Sequence, residues 1–428
     1  MAAQGLIRDS EIEITIRAFA TPLFNAAGVD ADSVRVYIIN DRALNSFVAG
    51  GQNIFVTTGL LMRAEKPSQV IGVLAHETGH ISGGHLARMG DELRNATNEA
   101  LAATILGLLI GVGTGQGGAG MAAGAAGMHV AERSFLKYSR TQEQSADQAA
   151  LKFLDQTHQS ARGLMEFFNI IGDQELVAPS RQDPYVQTHP LTRDRMDFVR
   201  NHVEHSPYAN APENPSYVDM FNRARAKLVG FIESLDRTLK VYPESDQSLA
   251  ARYARAIAYY RVSRLDRALP LTDALIAQEP KNPFFRELKG QMLFENARVR
   301  EALEPYQESV RLAPNEPLLR TGLAHVQLEL DDPTMIKPAL SNLNAALQVD
   351  DTNAQSWQLA AVAYGRDNQL GMAALSLAEY NLLVGRRPDA RGQAARAERL
   401  LPRGSPGWLR AQDIQVQTKN ERDRERNR

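Results

Sequence analysis

Between Ser10 and Gly28, apolar side chains recur at helical spacing, with Ile12, Ile14, Ile16, Phe19 and Leu23 among them, and Gly28 closes the run. The period then falls to two. Val34, Val36, Ile38 and Ile39 predict a strand ending at Asn40-Asp41, and Asn53 to Thr58 predicts a second after the Gly50-Gly51 turn. Gly59 opens a helix around Leu60 and Leu61. After Lys66-Pro67-Ser68, the run Val70-Ile71-Gly72-Val73-Leu74-Ala75 predicts a buried helix. Two strands followed by helices make an α+β unit, mostly α. Helical spacing resumes from Ala131 to about Phe168, and a segment with three prolines, Ser206 to Pro215, interrupts it. The expected domain boundary lies there, with one domain at 1–206, a linker at 207–215 and a second domain at 216–412.

The second half repeats itself. Pro280 and Pro314 lie 34 residues apart, each after an Ala- and Leu-rich helical run. Equivalent positions carry Ala256 and Gly290, Ala268 and Ala302, while Trp357, Ala360, Ala361, Tyr364 and Ala373 fit the same frame one unit on. Small residues at helix crossings and proline at the unit end, on that period, predict an α-helical tetratricopeptide-repeat solenoid. Asp331-Asp332-Pro333 reads as a short insertion in one unit. Residues 413–428, ending in charged and amide side chains, are expected to form a disordered tail.

Composition narrows the field. The 428 residues carry a formal charge of -2 and no cysteine. That charge lends no support to a nucleic-acid footprint, and the missing thiols exclude disulfides, Cys-type zinc sites and cysteine nucleophiles. The start, Met1-Ala2-Ala3-Gln4-Gly5, has no basic region or long apolar run, so no signal peptide is expected in this chain. Ala-Ala-Gln reads about equally as the remnant of a cleavage site and as an ordinary flexible start. Residues 100–131 hold no Asp, Glu, Lys or Arg; Leu101 to Val112 is strongly apolar, and Gly113 to Gly127 is mostly Gly and Ala. The length permits one membrane span, but the glycines disfavour an independent helix. A lid or half-buried hairpin with peripheral membrane contact is expected.

The candidate chemistry begins at His76-Glu77-Thr78-Gly79-His80, an H-E-x-x-H motif on the buried helix. Residues four apart share a helix face, so both imidazoles can meet one metal ion, and Glu77 can reach a water beside it. Three ionisable groups inside a buried helix are costly without partners, and a metal supplies them. This is the equipment of a zinc hydrolase with one ion. Catalytic zinc takes three protein ligands and leaves a position open. A metzincin-type third histidine would fall at position 86, which is Leu86. His85 is one residue short; it could be a displaced ligand if Gly83-Gly84 breaks the helix, and if the helix continues it faces away. Glu143 and Asp147 share a helix face. One can ligate while the other holds a ligand imidazole, or both can form a solvated acidic face beside Arg140; spacing does not separate these readings.

His76-Glu77-x-x-His80, then Ser139-Arg140-x-x-Glu143-x-x-Ala146-Asp147, then His189-Pro190 with Arg195, resembles the HtpX-like gluzincin metalloproteases. The resemblance covers most of the chain, and three motifs in order make it specific. It implies metal ligands His76, His80 and Glu143, with Asp147 as the partner of a ligand. It implies Glu77 as catalytic base. His189 stabilises the oxyanion or occupies the open metal position in a latent form, and Arg195 orients a substrate carbonyl or pairs with a carboxylate. Asn45, Gly51, Asn53, Ile54 and Phe55 match the family's segment flanking the cleft, where an extended substrate is expected to pair with an edge strand at 53–58. Members embedded in membranes carry two long spans between the histidine pair and the third ligand. The short 100–131 interval favours the soluble, periplasmic type.

The expected activity is a zinc endopeptidase acting on misfolded or unassembled polypeptides. The repeats are expected to recruit substrate or a protein partner, an outer-membrane assembly machine being the one the resemblance suggests. The competing expectation is a chaperone or scaffold whose metal site is latent.

Overall fold

Asp9 caps the first helix, α1 (Ser10–Ala26), by accepting the amide of Ile12 at 3.0 Å, which satisfies one of the orphan N–H groups at a helix start. Its Ile12, Ile16, Phe19, Leu23 and Phe24 enter one apolar core with residues of the sheet and of six further helices. The computed structural model describes residues 5–49, 51–85, 125–172, 185 and 189–426. The expected lid at 100–131 therefore lies outside the described residues up to 124, and its end belongs to a helix that starts at Ala125.

The sheet has four strands, β1 (Leu6–Ile7), β2 (Arg35–Ile39), β3 (Ser46–Ala49) and β4 (Asn53–Thr57), in the order β1-β2-β4-β3. Two of them escape sequence reading because runs of two and four residues are too short to show a period. β2 and β4 are parallel, with Tyr37 opposite Phe55, and β3 folds back antiparallel with Phe47 opposite Phe55. The three rings stack across the strands at 5.2 and 5.1 Å. β4 is thus an inner strand, paired on both sides. The expected substrate pairing with 53–58 is corrected on that ground: neighbouring strands already use its main chain, and Ile54 is buried in the core.

Among the described residues, six more helices belong to this unit: α2 (Thr58–Arg63), α3 (Pro67–Ser82), α4 (Ala125–Gln156), α5 (Arg162–Gly172), α6 (Arg193–His205) and α7 (Pro215–Ile232). Pro67 opens α3, where a missing N–H costs nothing. The helical run expected to continue to Phe168 breaks between α4 and α5, at His158 with φ 57°.

The chain divides into Met1–Glu233 and Ser234–Arg428, so the expected boundary at 207–215 is corrected. Those prolines turn the chain within the first unit. The next helix, α7, then docks back on α1: Tyr217 Oη donates to Ala18 O at 3.1 Å, and buried Lys227 meets Asp9 at 2.7 Å. Proline reports a local change of direction, whereas a domain boundary depends on what the following helix buries.

In the second unit, paired helices begin at Leu249, Pro283 and Pro317, successively 34 residues apart, and then at Ala354 and Arg387. The longer third step holds the insertion, a short 3-10 turn at Pro333–Met335. Ala256, Ala268, Ala302 and Ala360 are buried at crossings. Tyr306 lies so close to Gly290 and Gly322 that a Cβ at either would strike its ring, at 2.5 and 2.6 Å. The expected disordered tail is corrected as well. The final helix runs Pro406–Arg426, because Ala411, Ile414 and Thr418 form a buried stripe at helical spacing.

Candidate metal centre

Helix α3 brings its histidine pair to α4 through a glycine. A Cβ on Gly79 would lie 2.6 Å from Ala146 O and 2.9 Å from Ala146 Cα, so only glycine permits this approach. Ala146 sits between Glu143 and Asp147 on α4, and the close crossing delivers both carboxylates to the histidines. Asp147 Oδ1 lies 2.9 Å from His76 Nδ1, while Glu143 Oε2 lies 3.2 Å from His76 Nε2 and its Oε1 3.3 Å from His80 Nε2. From the turn before α6, His189 adds Nδ1, 3.2 Å from both Glu143 oxygens and 3.3 Å from His76 Nε2.

One ligand atom each from His76, His80, Glu143 and His189 falls within a 4.8 Å cluster. His76 Nε2 and His80 Nε2 are 3.0 Å apart. Donors bound to one tetrahedral zinc at ~2.0–2.1 Å stand roughly 3.3–3.4 Å from each other, close to the spacing found here. Glu77 gives the second sign of fit. It is wholly buried, and neither carboxylate oxygen has a hydrogen-bond partner. A buried carboxylate without hydrogen-bond partners is expensive, and His189 Nε2 lies 3.6 Å from its Oε1. Histidines and a carboxylate are the donor set of a catalytic zinc site.

The charges support the arrangement. Burial raises the Glu77 carboxyl above its ordinary range, partly opposed by His189 and His76. Burial acts the same way on Glu143, but its neighbours His189, His80 and the Arg195 guanidinium outweigh it and hold Glu143 well below the usual range. Burial lowers His80 to about 3. It would lower His76 too, but hydrogen bonds to Asp147 and Glu143 carry that ring up to about 9. With Asp147 on Nδ1, His76 presents Nε2 to the cluster, where a metal ion would take the place of its proton.

Arg195 is placed by the fold rather than by the motif alone. Thr192 caps α6 by accepting the Arg195 amide at 3.4 Å. The guanidinium grips Asp147 through Nε at 2.6 Å and Nη2 at 2.9 Å, and Nη1 reaches Glu143 Oε2 at 3.0 Å and Pro190 O at 2.8 Å. It is 1 % exposed. The expected role of orienting a substrate carbonyl is corrected, since the fork is spent on two carboxylates and a main-chain oxygen.

The other expected residues are placed less directly. Asn45 is buried; its carbonyl accepts the Thr57 amide and its own amide donates to Thr57 Oγ1. Gly51 lies exposed in the hairpin turn with φ 98°, and Asn53 and Phe55 are half-buried in β4. Sequence reasoning missed Tyr185, whose ring stacks on His189 at 4.6 Å and whose carbonyl accepts the His189 amide at 2.8 Å. The i, i+4 spacing from Tyr185 to His189 was the only available signal.

The fold and the site define a metalloprotease domain. Residues 8–203 match the model of peptidase family M48. In particular, the chain is similar to beta-barrel assembly-enhancing proteases. It is 25 % identical to that of Yersinia pestis over 426 residues, covering 95 % of this chain and 84 % of the relative. The Escherichia coli O157:H7 protein is 26 % identical over 393 residues, covering 90 % and 78 %. Among solved structures, the tetratricopeptide protein YrrB matches 40 % of this chain and 88 % of its own at 19 % identity, with a TM-score of 0.33. No helix among the described residues is long and apolar enough to cross a membrane.

Proposed function

We propose that the protein is a zinc endopeptidase held in a latent state. The observation that carries this reading is the convergence of His76, His80, Glu143 and His189 beside the unpartnered carboxylate of Glu77. Zinc, when bound there, lowers the pKa of a coordinated water to about 7 and polarises the scissile carbonyl. Glu77 accepts the proton of the attacking water and delivers it to the leaving amine, a task suited to a carboxyl whose affinity for protons burial has raised. Asp147, gripped by Arg195, fixes the His76 tautomer. With His76, His80 and Glu143, His189 would help hold the ion at rest. Once displaced, its Nε2, already near Glu77, can donate to the developing oxyanion.

Substrate is assigned to the end strand β3 instead of β4. Thr57 N donates to Asn45 O, and bonding alternates along an antiparallel pair, so the main-chain groups of Ser46 and Val48 point away from β4. Strand addition there reads backbone, which suits unfolded or unassembled polypeptides of varied sequence. The repeat unit is assigned to recruiting substrate or a partner. Similarity to beta-barrel assembly-enhancing proteases supports a periplasmic location and an outer-membrane assembly machine as that partner. The competing reading, a binding module with a latent metal site, draws on the same filled corner at His189.

Glu77→Gln with metal analysis tests the proposal. Wild type should carry one zinc and cleave casein once activated. The variant should keep its zinc and lose cleavage by about 10²-fold or more. Undiminished casein cleavage in Glu77→Gln would remove the mechanism. Loss of cleavage with every cellular activity retained would favour the binding module.

A further inference from the structure

His85, one residue short of the ligand spacing, stands outside the four-residue cluster and meets the metal centre in another way. α3 ends at Ser82, and Gly84 follows with φ 61°, a left-handed conformation that turns the chain back on itself. The turn returns the His85 ring to the helix end, where it is 5 % exposed. Its Nδ1 lies 3.0 Å from His80 Nδ1, with the rings edge to face at 5.1 Å. A Cβ on Gly83 would lie 2.4 Å from His85 Nε2, so the bare glycine makes room for the ring.

We infer that His85 is the positioning residue for His80. The inference rests on the metal-centre reading above. His80 offers Nε2 to the cluster, 3.0 Å from His76 Nε2. An imidazole that ligates through Nε2 keeps its proton on Nδ1, and that N–H needs an acceptor in this buried place. For His76 the acceptor is Asp147. For His80 it is His85 Nδ1, which accepts only when His85 carries its own proton on Nε2. The two ligand histidines are therefore oriented by different chemistries, one by a carboxylate and one by a neutral imidazole. Gly83 and Gly84 are the backbone elements that make the second possible.

The test uses the full chain, with zinc affinity measured by competition against a chromophoric chelator. His85→Phe keeps the aromatic filling and removes the acceptor. His85→Asn places an amide oxygen where Nδ1 lies. The Phe variant should bind zinc about 10–100-fold more weakly than wild type, the Asn variant should recover most of that loss, and the two should melt alike without metal. Gly83→Ala, which pushes the ring away, should mimic His85→Phe and serves if the latter does not fold. Nitrogen NMR of the zinc-loaded protein should show His85 neutral, with the proton on Nε2. Unchanged affinity in His85→Phe and Gly83→Ala, or a proton on His85 Nδ1, would overturn the assignment. Wild type that takes up no zinc would instead overturn the metal centre on which it rests.

Discussion

At the scale of single residues, the site is a problem of satisfying buried polar groups. Arg195, Asp147, Glu143, His76 and His189 form one connected network, with Arg195 bridging the two carboxylates and His76 joining Asp147 to His189. Glu77 stands outside it with both oxygens unpartnered. A protein tolerates such a group where chemistry needs it. His189 is the member whose removal should help catalysis. Its ring is held by Tyr185 and by the Glu143 carboxylate, within reach of three prospective ligands. His189→Ala opens the fourth corner, so basal casein cleavage should rise several-fold while zinc remains bound by the other three groups. A fall in basal cleavage with zinc retained would assign His189 to oxyanion stabilisation and not to latency. The histidine pair was legible from its spacing, since four residues make one helical turn. Tyr185 and His85 were not, because their partners are set by a turn and a left-handed glycine that no periodicity announces.

At the scale of elements, helix α3 is clamped from two sides. Gly79 admits Ala146 of α4, and Gly72 admits Leu164 of α5, whose Cα would lie 2.8 Å from an added Cβ. Gly79→Ala would press a methyl group against backbone that cannot swing aside. It should cost about 1–3 kcal/mol in urea unfolding and reduce zinc uptake, because Glu143 and Asp147 flank the point of contact. Full metal content with unchanged stability would refute this account of the crossing. The sheet yields a second prediction. Val48→Pro removes an N–H that points away from β4 and leaves the hairpin bonds in place. Peptide cleavage should fall about tenfold, the worth of one lost hydrogen bond, with zinc content unchanged. Wild-type cleavage would dismiss β3 as the substrate strand. The sequence showed β4 clearly and concealed its position, because strand order depends on two partners too short to display alternation.

At the scale of the whole molecule, two units divide the chain after Glu233, and every candidate ligand lies in the first. A protein ending at Glu233 should therefore fold and bind zinc. One ending at residue 206 loses α7, and with it the burial of Phe221, Ala224 and Leu228 and the Lys227 partner of Asp9. Its melting temperature should fall steeply, since removing even one such large side chain costs about 3–5 kcal/mol. Equal stability of the two truncations would restore the proline-rich segment as the boundary. What the sequence determined alone is whatever repeats at short range. This covers the buried H-E-x-x-H helix, the paired acids one turn apart on α4, and the 34-residue frame of the second half, each a consequence of fixed rise and turn per residue. Tertiary structure decided which carboxylate meets which imidazole, that β4 is internal, that α7 belongs to the first unit, and that Arg195 serves the carboxylates. Those outcomes depend on close approach between segments far apart in the chain, and a glycine, a cap or a turn acts there only once its partner has arrived.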